Sequence, residues 1–532
     1  MSNLMSNHHN HSGCGCCSSV SRRSFLSTGC AAGAGVVGIM GATLPFVNSA
    51  RADDGNGNMK IRVIFALHAP VQPGPDWPNV GYNFVPMMER TITALNDRCE
   101  GMDFIASMAN GPEATKKILE DDATAGNIDG YLVMQSNCWN TVVQTAVTSG
   151  KPVLYADFMY AGSGGFLVYT AGQLRAKTPN FAFITSSNVR DLVAAAQCFA
   201  LAKDGGVAAF VDGVTKLRIA RTPNIRPRVR EDKLDLLTTE ELLKELKGKK
   251  MIEVERGWAA VDEPLKESLG IEIVRVPFAE LNDLWEKADK DKAQEVMKNW
   301  KAGADVVIGV QDDVLEAAAR MYLAQKQCME NHGACAITIN CLGGFYGGHI
   351  HAYPCLGFHQ LLNEGLIGAC ECDTLSTLTM IVLTTLTKGR PGYISDPVMD
   401  VATRQIIYAH CVASNKAFGP DGPANPYTIL THSEDRQGAS LRSELPLGYM
   451  TTTVEFAPHR KQILFHQGVT VANSPEDRAC RTKIAAVPVG DFEKLFTQWD
   501  QWGWHRVTCY GDLRDSIFSL AKAIGWEIVE EA

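Results

Sequence analysis

The chain has 532 residues, 45% hydrophobic and 20% charged, a balance typical of globular proteins that excludes a disordered or low-complexity scaffold. At roughly 150 residues per domain the length predicts about three domains, with cores large enough to do without disulfide staples. The formal charge is −9; residues 1–52 contain Arg22, Arg23 and Arg51 and no acid, so the remaining chain carries −12, which argues against a nucleic acid partner.

The first residues read as an address. Arg22 and Arg23 precede a weakly apolar Gly/Ala-rich stretch, and Ala50, Arg51 and Ala52 follow it before Asp53, the order of a twin-arginine export signal. The expectation is cleavage before Asp53, delivery of an already folded protein to the periplasm by the twin-arginine translocase, and no stable membrane span. Of sixteen cysteines, Cys14, Cys16, Cys17 and Cys30 fall in this segment. The other twelve lack regular spacing and are expected to be free, buried thiols.

From residue 60 onward, β-branched runs at 61–67, 103–106, 131–134, 152–156 and 181–184 alternate with helical segments, which predicts a parallel α/β domain over residues 53–220. A Pro- and Arg-containing stretch, 221–230, leads to an acidic helix at 238–246. The alternation resumes at 251–254, 271–276, 305–310 and 336–340 around a helix at 314–330, predicting a second α/β domain over 221–392. Short alternating runs at 405–409, 427–431, 449–455 and 462–466 then predict a β-rich domain over 393–532, closed by a helix at 513–524, Gly525 and a last strand at 526–529.

Unusual residues are densest between Pro354 and Cys411. Glu371 is expected where a strand ends and a helix over 374–387 begins, at the carboxyl edge of a parallel sheet where ligands generally bind. Asp396 supplies a second carboxylate 25 residues later, and His410 adds an imidazole. Taken singly, Glu371 could merely cap the helix and Asp396, before Pro397, could merely start a turn. Two acids and one or two imidazoles form a hard-to-borderline ligand set suited to Mn²⁺, Mg²⁺ or Co²⁺. His349 and His351 in a Gly-rich loop, His432 and Trp504 are candidates to face a substrate, the alternatives being structural roles, a surface turn and core packing. Cys370 and Cys372 match no zinc or redox spacing and are expected to pack. The Gly-rich run 161–165 lacks the dinucleotide-binding order.

The run from Pro354 to Cys411 resembles the metal-binding core of the L-fucose and L-arabinose isomerase superfamily, with Glu371 and Asp396 in place of its two acids. The segment from Trp502 to Arg514 resembles the family's closing segment, with His505 where a metal-binding histidine is expected, and His410 matches a further ligand of the arabinose branch. Weaker likeness extends along the chain through Asp129, Gly130, Gly150, Lys151 and Pro152. The resemblance implies two Rossmann-like domains followed by a β-rich, barrel-like domain in a homo-oligomer. It also implies a metal-dependent aldose–ketose isomerase that acts on a small sugar through an enediol. Glu371 and Asp396 would be catalytic, and Glu371, Asp396, His505 and His410 would hold Mn²⁺, or Mg²⁺ or Co²⁺. Residues 340–349, the Cys370/Cys372 pair and Arg506 after the last histidine depart from the family pattern. Two competing readings are a non-catalytic periplasmic sugar-binding protein and a sugar epimerase or hydrolase on the same scaffold.

Overall fold

The computed structural model describes residues 57–532. The export signal read at residues 1–52 lies outside them. Five strands open the chain: β1 (Met59–Ala66), β2 (Met102–Ala109), β3 (Gly130–Gln135), β4 (Val153–Asp157) and β5 (Phe181–Ile184). They form a parallel sheet in the order β2-β1-β3-β4-β5. Both faces of β1 are buried: Ile61, Val63 and Phe65 enter one core and Ile64 and Ala66 another. Helices cover each face, which is why these strands read as nearly continuous apolar runs. The order reverses between β1 and β3, so the loops after them flank a topological switch point.

The segment Val189–Arg221 is long and apolar enough to cross a membrane by length and composition, with a mean hydropathy of 1.2. It is broken at Gly206 (φ +67°), its Phe210 and Val214 are buried in the first domain's core, and its buried Arg218 pairs with Glu493.

Strands β6 (Lys250–Val254), β7 (Glu272–Val276), β9 (Ala336–Ile339) and β10 (Ile367–Ala369) build the second parallel sheet, ordered β10-β9-β6-β7. The acidic helix expected at 238–246 spans Thr239–Leu246 and opens with a capping box between Thr238 and Glu241. One expectation is corrected. The run at 305–310 forms only β8 (Val306–Ile308), which leaves the central sheet and pairs in parallel with β13 (Tyr427–Leu430), itself antiparallel to β14 (Ser440–Ser443). Val306 and Ile308 are about half exposed, so this run supplies an edge and not a core strand.

The C-terminal strands are β11 (Tyr393–Asp400), β12 (Gln405–His410), β15 (Met450–Ala457), β16 (Gln462–Asn473), β17 (Thr482–Val489), β18 (Arg506–Tyr510) and β19 (Glu527–Glu530). The antiparallel order β15-β18-β11-β12-β17-β16 closes on itself through β15 and β16, and β19 adds in parallel to β16. The result is a barrel without free edges apart from the appended strand. The fold is therefore two parallel α/β units and a β-rich, barrel-like C-terminal unit.

The helix Thr374–Leu386 joins the second sheet to the barrel. It is buried on nearly all sides, and Leu378, Met380, Ile381, Val382 and Leu383 are fully buried. Each such side chain contributes about 1.5–3 kcal/mol of burial free energy, so the junction holds the helix's first turn rigidly. That first turn carries the residues of interest.

Candidate metal centre

Glu371 lies between β10 and the helix Thr374–Leu386, at the carboxyl edge of the second sheet. Glu371 and Cys372 both adopt left-handed backbone (φ +65° and +52°), a conformation costing about 1–3 kcal/mol for each non-glycine residue. Two contacts hold it: the Glu371 N–H donates to Cys341 Sγ (3.4 Å) and the Cys372 N–H to the Ile339 carbonyl (2.9 Å). The strained turn projects the Glu371 carboxylate toward the barrel.

Asp396 and His505 arrive from the barrel. The β11/β18 register pairs Ile394 with Val507 and Ser395 with Arg506, so one further step sets Asp396 opposite His505. Asp396 is thus inside a strand, opposite Ala409 of β12, and neither initiates a turn nor stands at a strand end. His410 ends β12.

The four side chains converge. Glu371 Oε2 is 3.8 Å and Asp396 Oδ1 3.1 Å from His505 Nε2, while Glu371 Oε1 is 3.9 Å from His410 Nε2. Ligand atoms of Glu371, His410 and His505 all lie within 4.8 Å of one another. Asp396 Oδ1, His410 Nε2 and His505 Nε2 are buried without a hydrogen-bond partner, a costly state for three polar atoms facing one point. A dication bound by Asp396 Oδ1 and His505 Nε2 would satisfy those two atoms, so the residues present fit a metal. Their oxygen-and-imidazole chemistry suits Mn²⁺, Mg²⁺ or Co²⁺. Side-chain exposure is 3% for His410, 5% for His505 and 3% for Asp396, but 25% for Glu371, so the site opens on the Glu371 side.

The electrostatics follow from this crowding. Burial, and the nearby charges of Asp396, Glu434 and Asp373, push the Glu371 carboxyl up to about 7, against the pull of His505. Burial opposes a charge on His505, but Asp396, Asp373 and Glu371 overcome it and hold the imidazole well above its usual range. His410 moves the other way, mainly because burial disfavours its cation.

Asp373, to which the sequence analysis gave no role, orients the centre. Its Oδ1 caps the helix by accepting from the Ser376 N–H (3.0 Å), and its Oδ2 bonds His505 Nδ1 (2.8 Å). In neutral His505 that bond places the proton on Nδ1 and turns the Nε2 lone pair to the centre, as for carboxylate-supported metal histidines. His410 is set differently: its Nδ1 accepts the Cys411 N–H (2.9 Å), so its neutral form carries the proton on Nε2 and presents a donor.

The other candidate side chains are placed as follows. Trp504 precedes His505 and contacts Trp139 (ring centroids 4.8 Å) and Trp77 (6.2 Å). It packs directly against Gly164, where an added Cβ would sit 1.5 Å from its ring. His432 is buried, 3.3 Å from Asp435 and edge-on to Phe345. In the same loop Glu434 accepts from the Tyr346 hydroxyl (2.7 Å). His349 and His351 are exposed and lie against the helix Phe278–Lys287: His349 stacks on Phe278, and His351 is 3.4 Å from Glu286. Arg506, the departure after His505, points into the barrel, where it is fully buried and paired with Glu531 (2.7 Å). The first domain adds His68 after β1, bonded to buried Asp76 (2.8 Å), and Asn137 after β3, whose side chain accepts the His68 N–H (2.9 Å). The twelve described cysteines are all free, and all but Cys198 and Cys335 are buried.

No family model matches the chain. It is 25% identical over 295 residues to a sulfoquinovose isomerase of Clostridium sp. (strain MSTE9), covering 50% of this chain and 60% of that protein. It is 23% identical over 276 residues to the sulfoquinovose isomerase of Priestia megaterium (strain ATCC 12872 / QMB1551), covering 51% and 60%. The chain thus spans about 60% of the length of these relatives. Among solved structures, an ABC transporter solute binding protein from Bacillus halodurans C-125 with bound myo-inositol aligns at 15% identity over 56% of this chain and 82% of that one. Its TM-score of 0.18 carries no argument. Over half its length, then, the chain is similar to sulfoquinovose isomerases, consistent with the sugar-isomerase resemblance read in its sequence.

Proposed function

We propose that the protein is a metal-dependent aldose–ketose isomerase of the fucose/arabinose isomerase type, acting on a small sugar through an enediol. The observation that carries this reading is the convergence of Glu371, Asp396, His410 and His505 around three buried polar atoms that make no hydrogen bond, two of them, Asp396 Oδ1 and His505 Nε2, 3.1 Å apart. Asp396, His505 through Nε2 and one oxygen of Glu371 would hold the ion. When bound, a dication would polarise the sugar carbonyl and stabilise the oxyanion of the enediol. The chain's own residues do the rest. Glu371, the most exposed of the four and raised toward neutrality, takes the proton from C2 and returns it to C1. Neutral His410 donates its Nε2 proton to O1 and takes back the O2 proton as the ketone forms, a role that suits its tautomer better than ligation. Trp504, backed by Trp77 and Trp139, offers an apolar wall to one face of the sugar. The relatives make sulfoquinovose the first substrate to try.

Export through the twin-arginine pathway, periplasmic residence and homo-oligomerisation belong to the same proposal. Changing Arg22 and Arg23 to Lys should strand the precursor in the cytoplasm, and unchanged export from cells lacking the translocase refutes that part.

The test of function is metal analysis followed by an aldose and ketose panel, including sulfoquinovose, with added Mn²⁺ in deuterated water. Interconversion with deuterium incorporation at C1 or C2, lost on chelation and reduced at least about 100-fold in Glu371→Gln, is the expected result. Fully metal-loaded protein that binds a sugar and returns it unlabelled and unchanged overturns the proposal.

A further inference from the structure

A second group of metal-ligating side chains lies away from this centre. Cys328 and His332 sit four residues apart in the last turns of the helix Asp312–His332, so both face the same side. That side meets Glu280 on the first turn of the neighbouring helix Phe278–Lys287. His332 Nε2 is 2.7 Å and Cys328 Sγ 3.9 Å from Glu280 Oε1, and the three ligand atoms lie within 4.8 Å of one another.

Tetrahedral zinc bonds of about 2.3 Å to sulfur and 2.0–2.2 Å to nitrogen and oxygen require ligand-to-ligand separations of about 3.3–3.6 Å. The observed separations bracket these, so small rotamer adjustments suffice. The fully buried Cys328 thiol donates to the same Glu280 oxygen that pairs with His332. A cation would displace the thiol proton and take the thiolate as a ligand beside the Glu280 carboxylate and the His332 imidazole. The His332 and Glu280 side chains are 29% and 33% exposed, which provides an entry path and room for a water as fourth ligand. The helix Asp312–His332 leads directly into β9, and the helix Phe278–Lys287 directly follows β7, so the group joins two helices that flank the second sheet.

We propose that Glu280, Cys328 and His332 form a second, thiolate-containing cation site that takes Zn²⁺ in preference to Mn²⁺ or Mg²⁺ and ties the helix Phe278–Lys287 to the end of the helix Asp312–His332. Binding forms one bond to sulfur, one to nitrogen and one to oxygen and releases the thiol proton to solvent. The sulfur ligand sets the preference, because soft thiolate favours zinc while the all-oxygen-and-imidazole centre at Glu371 favours harder ions.

Cobalt(II) is the probe, because a thiolate ligand gives it a near-ultraviolet charge-transfer band that oxygen and imidazole ligands do not. His8, His9, His11, Cys14, Cys16 and Cys17 can also take up cobalt, so the readout is the difference between wild-type full chain and Cys328→Ser. The expected difference is one equivalent of cobalt and one thiolate band, lost equally in His332→Asn and retained in Asp396→Asn. Zinc should raise the melting temperature of the wild type and not that of His332→Asn. Cys328→Ala preserves the apolar packing if Cys328→Ser fails to fold. A band that survives in a folded Cys328 variant, full cobalt binding in His332→Asn, or wild type and Cys328 variant with equal cobalt content overturns the proposal.

Discussion

Asp373 performs two tasks with two oxygens, and substitutions can separate them. Asparagine is as good an N-cap as aspartate, so Asp373→Asn keeps the bond to the Ser376 N–H while offering His505 Nδ1 an amide donor in place of a carboxylate acceptor. Nδ1 must then accept, the proton moves to Nε2, and the lone pair facing Asp396 and Glu371 is lost. Removing such supporting carboxylates costs 10–100-fold in metal affinity, or about 1.4–2.8 kcal/mol. Asp373→Ala loses the cap as well, a further cost of about 1 kcal/mol to the fold. Thermal denaturation with and without Mn²⁺ reads both. At a fixed excess of ion, Asp373→Asn should lose about 1.4–2.8 kcal/mol of metal-induced stabilisation, and metal-free Asp373→Ala should melt below metal-free Asp373→Asn. Wild-type metal stabilisation in Asp373→Asn would refute the account of how His505 is oriented.

Metal uptake should rise with pH, because His505 must give up a proton whose pKa is raised and Glu371 must ionise against a pKa of about 7. Below about pH 7 two protons leave per ion, roughly 100-fold in affinity per pH unit, and above it about one leaves, roughly tenfold per unit; calorimetry in buffers of different ionisation enthalpy measures both, and pH-independent binding contradicts the pairing. Glu531, held at about 2 although burial opposes its charge, because Arg506 and His466 stabilise the carboxylate, contributes stability that is present above its unfolded pKa near 4.5 and is lost as the pH falls toward 2. The loss is of order 3 kcal/mol, and Glu531→Gln should flatten that acid limb in denaturant titrations. Gly164→Ala places a methyl on the Trp504 ring and should cost about 1–3 kcal/mol while shifting tryptophan fluorescence; an unshifted spectrum at wild-type stability counts against the packing described.

How much of this was legible in the sequence depends on how local each signal is. The parallel strands of both α/β units were readable because burial on both faces writes a continuous apolar run, and Thr238 announces its helix through a capping box. β8 shows the limit of that signal. Val306, Val307 and Ile308 have the composition of a core strand, and only the nonlocal pairing with Thr428, Ile429 and Leu430 reveals an edge. His349 and His351 show another limit, since nothing local in a Gly-rich loop announces their packing against the helix Phe278–Lys287.

The metal centre combines both kinds of information. Glu371 was readable from its place between a strand and a helix, and Asp373 carried an N-cap signal of its own, standing immediately before the apolar helix Thr374–Leu386. What no local pattern contains is the register that sets Asp396 opposite His505, residues 109 positions apart, or the barrel closure that fixes β18 beside β11. The departure at Arg506 is explained by the same alternation. His505 and Arg506 are successive residues at the start of one strand and point to opposite faces, so the histidine meets Glu371 while the arginine enters the barrel to pair with Glu531. A second histidine at that position would face the barrel interior rather than the centre, so its absence removes no ligand, and the buried arginine instead neutralises a carboxylate that the appended last strand brings into the barrel core.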